Sequence, residues 1–213
     1  MSEKVYLYCE RAANPAFWAE PVNALTNLLF LVAAWFVWRR ANKLEAGSTG
    51  ISLLLMLMCA IGIGSFLWHT FATTWARWAD VLPILFFQLL YAWIYFREVA
   101  RVRFASALAI VVGYCAAALY SRQFPEILNG SLIYAPAMMF LLFLGVYHAA
   151  TRRRERYIVS WATGVFVVAL VARTVDNIIC PCFPLGSHFI WHVCNALAMY
   201  LIMRALLANR LEL

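Results

Sequence analysis

Charge is scarce in this chain of 213 residues. Charged side chains make up 13% of it, against roughly a quarter in a soluble domain. That is too little to solvate a globular surface, so an ordinary soluble fold is excluded. Linkers, low-complexity tracts and a second compositional block are also missing, which excludes a modular architecture. The opening residues Met-Ser-Glu-Lys-Val-Tyr lack a basic segment followed by an apolar one. A cleaved signal peptide is therefore not expected, and the first span should act as its own insertion signal. Acidic residues number 10 and histidines four, so each polar side chain within an apolar run asks for a reason.

Apolar residues are what the chain has in abundance. Hydrophobic residues make up 65%, and the mean hydropathy is +0.77. Runs of about 20 apolar residues, the length that crosses a bilayer, recur along the sequence. The fold class expected is an all-α membrane protein: a single domain over residues 1–213 built as a seven-helix transmembrane bundle. Spans are placed at about 22–38, 51–71, 81–97, 104–121, 131–150, 157–175 and 188–207. Short connections make successive helices antiparallel neighbours.

The net charge of +7 raises the question of nucleic acid, but the basic residues sit in short loops between spans. Twelve of the 17 fall on one side: Arg39, Arg40, Lys43, Arg97, Arg101, Arg103, Arg152, Arg153, Arg154, Arg156, Arg204 and Arg210. The other five are Lys4, Arg11, Arg77, Arg122 and Arg173. The positive-inside bias puts the N-terminus outside and the C-terminus in the cytoplasm, with no nucleic-acid partner. Trp38, Trp75, Trp78 and Trp161 read as interfacial anchors.

Polar residues within spans are costly and mark function. With this orientation, His69 lies at the outer end of span two. His188 and His192 lie near the outer end of span seven. Asp80, Asp176 and Glu20 share that depth. His188 and His192 are four residues apart, so they share one helix face. With His69 they make a three-histidine set that leaves a coordination position open to water, as in catalytic rather than structural zinc sites. Ser65 is four residues before His69 and faces the same way.

Asp80, just before Leu82-Pro83, reads equally as a helix N-cap and as a carboxylate that takes a proton from water. Asp176 and Asn177 read as the end of span six, with Arg173 in ion-pair reach of Asp176. His148, beside the arginine run, reads as a solvated interfacial residue. Cys59, Cys115 and Cys194 lie within spans as small apolar residues. Cys9, Cys180 and Cys182 lie outside, where a disulfide can form, and Cys9 could pair with either of the other two.

Taken together, several motifs resemble the alkaline ceramidase family, part of a wider group of seven-span membrane hydrolases that includes the adiponectin-receptor-like proteins. They are Cys9-Glu10, Glu20-x-x-Asn23-x-x-x-Asn27, Gly64-Ser65-x-x-x-His69, Asp80-x-Leu82-Pro83, Asp176-Asn177-Ile178-x-Cys180 and His188-x-x-Trp191-His192. The resemblance implies zinc on His69, His188 and His192, catalytic assistance from Asp80 and Ser65, and a Cys9–Cys180 disulfide. Asn23, Asn27, Asp176 and Asn195 would support the ligands. Eukaryotic members also carry a calcium site. Glu10 and Glu20 match two of its carboxylates, but Leu7 and Ala12 stand where others offer polar ligands, and calcium takes 6–8 oxygens.

The function expected is zinc-dependent hydrolysis of the amide of an N-acyl sphingoid-type lipid to fatty acid and amine. It would take place within the membrane, the plasma membrane if the source is bacterial, with no protein partner implied. Two rivals from other classes are a seven-span metal-binding receptor without catalysis and a b-type haem electron carrier.

Overall fold

The computed structural model describes residues 3–210. Among these there are seven helices long and apolar enough to cross a membrane: α1 Pro21–Lys43, α2 Thr49–Phe71, α3 Thr74–Val99, α4 Phe104–Ser121, α5 Ser131–Ala150, α6 Ile158–Ile179 and α7 His188–Asn209. No strand is present among the described residues, only an isolated bridge between Lys4 and Thr73. Each helix packs on the next, and α7 returns to α1, so the bundle closes into a ring. Helix α7 is the most enclosed; Met203, Ala205, Leu206 and Leu207 in it are fully buried. Large apolar side chains such as Met139, Val146 and Ile178 face outward, which suits hydrocarbon as the surrounding solvent. The protein is a multi-pass membrane protein by these criteria.

Several boundaries differ from the sequence expectation. Helix α1 runs on to Lys43, because Arg and Lys at a helix end can extend their charges to the interface while their stems stay apolar. Helix α3 starts at Thr74 after Thr73 in extended conformation, seven residues before the expected start. Asp80 is therefore not an N-cap. It lies in the second turn, and Pro83 is internal. The Arg77 and tryptophan-rich turn 75–78 reads as a loop by hydropathy, yet it is helix. Asp176 and Asn177 likewise lie inside α6.

Pro83 has no N–H, so the Ala79 carbonyl lacks its helical donor. That carbonyl faces Gly64 of α2: a Cβ there would lie 2.0 Å from Ala79 O. Glycine at 64 permits the close α2–α3 approach that brings the next residue, Ser65, to Asp80.

Candidate metal centre and catalytic carboxylate

The three histidines meet. Antiparallel packing puts the last turn of α2 level with the first turns of α7 and α1. His69, His188 and His192 are all buried. Each offers a ligand nitrogen, and these nitrogens lie within 4.8 Å of one another. Ring centroids are separated by 5.2 Å (69–188), 4.8 Å (69–192) and 4.7 Å (188–192). Rings this close leave no slot for a porphyrin, which removes the haem carrier.

The residues present fit a metal ion. His69 Nε2 and His188 Nδ1 are buried with no hydrogen-bond partner, and each orphaned polar atom costs about 1–3 kcal/mol unless something satisfies it. The outer nitrogens of two rings are held. His69 Nδ1 contacts the Glu20 carboxylate, and His192 Nδ1 lies 2.9 Å from Thr26 Oγ1. The Thr26 hydroxyl donates to the Val22 carbonyl at 2.8 Å, so it accepts from His192 Nδ1–H. Both contacts put the proton on Nδ1 and leave Nε2 with its lone pair for a metal, the usual arrangement around ligating histidines.

The third histidine, His188, is oriented through its backbone and its ring face. Asp176 Oδ1 accepts from the amides of Ser187 (2.7 Å) and His188 (2.9 Å). A carboxylate from α6 thus caps α7. Gly186, at φ +66°, makes room for it, since a Cβ there would lie 2.2 Å from Asp176 Oδ1. Tyr8 stacks on His188 with centroids 3.6 Å apart and planes 17° from parallel. Burial holds the Tyr8 phenol above its ordinary range. The Cys9–Cys180 disulfide anchors this tyrosine from the next position. It resolves the cysteine alternatives, and Cys182 is free and exposed.

The expected ion pair between Arg173 and Asp176 is replaced by other contacts. Asp176 serves backbone amides, including Cys9 N at 2.9 Å. Arg173 Nη1 donates to Asn129 O and Ser131 Oγ at 2.9 and 2.8 Å. His148 is not solvated; it is fully buried between the Tyr95 hydroxyl (2.9 Å) and the Arg154 carbonyl (3.0 Å).

The acidic segment does not fit a calcium ion. Arg11 is buried, with its Nε on Glu20 Oε1 and its Nη2 on the His69 carbonyl at 2.7 Å. The remaining oxygen of Glu20 serves His69 and Asn23 Nδ2. Burial alone would raise the Glu20 carboxyl, but His69 and Arg11 outweigh it and hold it below its ordinary range. Glu10 accepts from the amides of Val22 (2.7 Å) and Asn23 (2.8 Å), capping α1 from the tail. Burial raises its carboxyl despite these bonds. A guanidinium already supplies the positive charge among these oxygens.

Ser65 hydrogen-bonds Asp80. Asn23 supports Glu20, and Asn27 bonds the Asn23 carbonyl at 2.8 Å. Asn195, expected among the supporting residues, bonds within its own helix, to Trp191 O, and lines a separate apolar cavity. Thr26, Tyr8 and Arg11 are additions that sequence reasoning misses. Thr26 continues the polar stripe Glu20, Asn23, Asn27 along α1, which is a readable signal; no spacing rule points to Tyr8 or Arg11.

A closed seven-helix bundle with three converging histidines beside a serine–aspartate pair defines a membrane protein with a candidate metal centre of hydrolytic type. The ceramidase family model matches residues 7–213, and the chain belongs to that family. No curated protein matches the sequence.

Proposed function

We propose that the protein is a zinc-dependent intramembrane amidase that cleaves an N-acyl sphingoid-type lipid into fatty acid and amine, with the site on the outer side of the membrane. The observation that carries this reading is the meeting of three buried imidazoles, two with unpartnered nitrogens, near the Ser65–Asp80 pair. Zinc on these histidines would polarise the scissile carbonyl and lower the pKa of water to about 7.

Asp80 takes a proton from the attacking water as the new C–O bond forms at the carbonyl carbon. The same carboxyl then returns the proton to the amide nitrogen as the C–N bond breaks. The acyl half leaves as a carboxylic acid and the other half as an amine. Ser65 holds the Asp80 carboxyl in position. Glu20 and Thr26 set the tautomers of His69 and His192, and Asp176 fixes where α7 begins and hence where His188 stands. Outward-facing apolar helix surfaces are compatible with a substrate that enters from the bilayer.

Metal analysis of purified protein, paired with fatty-acid release from an N-acyl sphingoid lipid, tests this. One zinc per chain is expected, with both zinc and turnover lost in His188→Ala. Full turnover by metal-free protein would overturn it.

A further inference from the structure

Five basic residues lie at the histidine end of the bundle or in the tail that covers it: Lys4, Arg11, Arg77, Arg122 and Arg173. Two are taken up in the tail and the acidic segment. Arg11 pairs with Glu20, and Lys4 donates to the Phe71 carbonyl at 2.8 Å. The other three all line one cavity of about 260 Å³, and Asp80 lies in its wall.

Each of the three presents its charge differently. Arg173 is 9% exposed; its Nη1 is held by Asn129 O and Ser131 Oγ, and its Nε is buried without a partner. It sits over the rings of Tyr134 and Trp191, at 5.3 and 5.9 Å. Arg122 sits over Trp78 at 5.2 Å, and Arg77 is exposed. The walls therefore carry three guanidinium charges against the single carboxylate of Asp80. Clustering like charges at a low-dielectric membrane site is unfavourable unless an anion joins them. Retention of positive charge in cytoplasmic loops cannot account for arginines at this end of the bundle. Guanidinium is also the side chain best suited to carboxylate, phosphate or sulfonate oxygens.

We propose that this cavity binds the headgroup of an N-acyl lipid whose amine half carries an anionic group: a carboxylate, phosphate or sulfonate. The assignment rests on the amidase reading above and narrows its substrate class. The cavity includes Asp80, so an anion held by the arginines lies a few bonds from the scissile nitrogen. An acyl chain, by contrast, belongs in apolar surroundings. Arg173 is the fixed contact, while Arg77 and Arg122 tune preference for the charge.

The test compares two lipid pairs that differ chiefly in headgroup charge: N-palmitoylglycine with N-palmitoylethanolamine, and an N-palmitoyl sphingoid 1-phosphate with its free alcohol. Binding is measured on full-length protein stripped of metal by chelation, with palmitate as a third probe. The anionic member should bind about tenfold more tightly, and less so as salt rises. In Arg77→Gln/Arg122→Gln that ratio should fall to roughly threefold or less, and Arg77→Lys should restore part of it. Equal binding within each pair, or a ratio untouched by the arginine substitutions, would overturn the proposal. So would palmitate binding as tightly as N-palmitoylglycine, since the recognised anion would then belong to the acyl product. Hydrolysis after zinc is restored is scored separately. Arginine-dependent anion preference without cleavage of any probe supports the headgroup site and removes the amidase reading.

Discussion

Asp176 of α6 accepts the backbone N–H of His188 at 2.9 Å, so one helix decides where the next begins. The same oxygen takes Ser187 N, and the other takes Cys9 N. One buried carboxylate thereby ties the tail, α6 and α7 together at the candidate metal centre. In Asp176→Ala these amides lose a charged acceptor, and the loss is expected to destabilise the fold by about 2–4 kcal/mol. A lowered Tm together with weaker zinc retention is the expected outcome. An unchanged Tm would mean that α7 is fixed by packing alone.

Glu20 serves Arg11 and His69 at once. Glu20→Gln keeps its shape but removes the charge, leaving Arg11 buried without compensation. Zinc affinity should fall about 10–100-fold, as it does when a supporting contact of a ligating histidine is lost. Competition titration against a zinc-sensitive dye measures it. Wild-type affinity would detach Glu20 from the metal centre.

Because Arg11 already neutralises the acidic segment, calcium should have nothing to add. Treating the purified protein with a calcium-selective chelator is expected to leave Tm and turnover as they were, and a zinc chelator is expected to abolish turnover. In Arg11→Ala the fold should weaken by about 3–5 kcal/mol, the cost of breaking a buried ion pair. A rise in wild-type Tm on adding calcium would contradict this arrangement.

Proton transfer and metal retention should separate at Asp80. Asp80→Asn is expected to keep one zinc per chain while turnover falls about 10²–10⁴-fold. Ser65→Ala should fall in the same direction by less, because it only positions the carboxyl. If Asp80→Asn turned over normally with its zinc in place, the general-base role would pass elsewhere, and a non-catalytic receptor would become the better reading.

Tyr8 covers one face of His188, and the Cys9–Cys180 bridge holds Tyr8 there. Tyr8→Phe keeps the stacked ring and should retain zinc; Tyr8→Ala should lose it faster on dilution. Reduction of the disulfide should resemble Tyr8→Ala. Equal zinc off-rates in all three would show that the tail is only a cover.

Much of the site is legible in the sequence alone. His69, His188 and His192 stand out because imidazoles are expensive in apolar spans, and alternating helix direction alone brings them to one depth. The helical period puts His188 and His192 on one face. Sequence and structure part company where local pattern and tertiary setting diverge. Asp80-x-Leu-Pro looks like a helix start, yet α3 begins about two turns earlier, where the N-terminal tail pairs with Thr73 and Thr74. His148 looks like an interfacial residue beside arginines, but Tyr95 and the Arg154 carbonyl enclose it.

The sequence by itself determined the class of the molecule, its seven crossings and which residues were too polar to lie in lipid, because hydropathy and helical period are local properties. Only the tertiary structure decided the partners: Arg11 among the acidic oxygens, Thr26 on His192, Tyr8 on His188, and three arginines around one cavity. Those choices depend on how each helix is rotated about its axis and where the tail crosses the bundle, and no repeat in the chain encodes either.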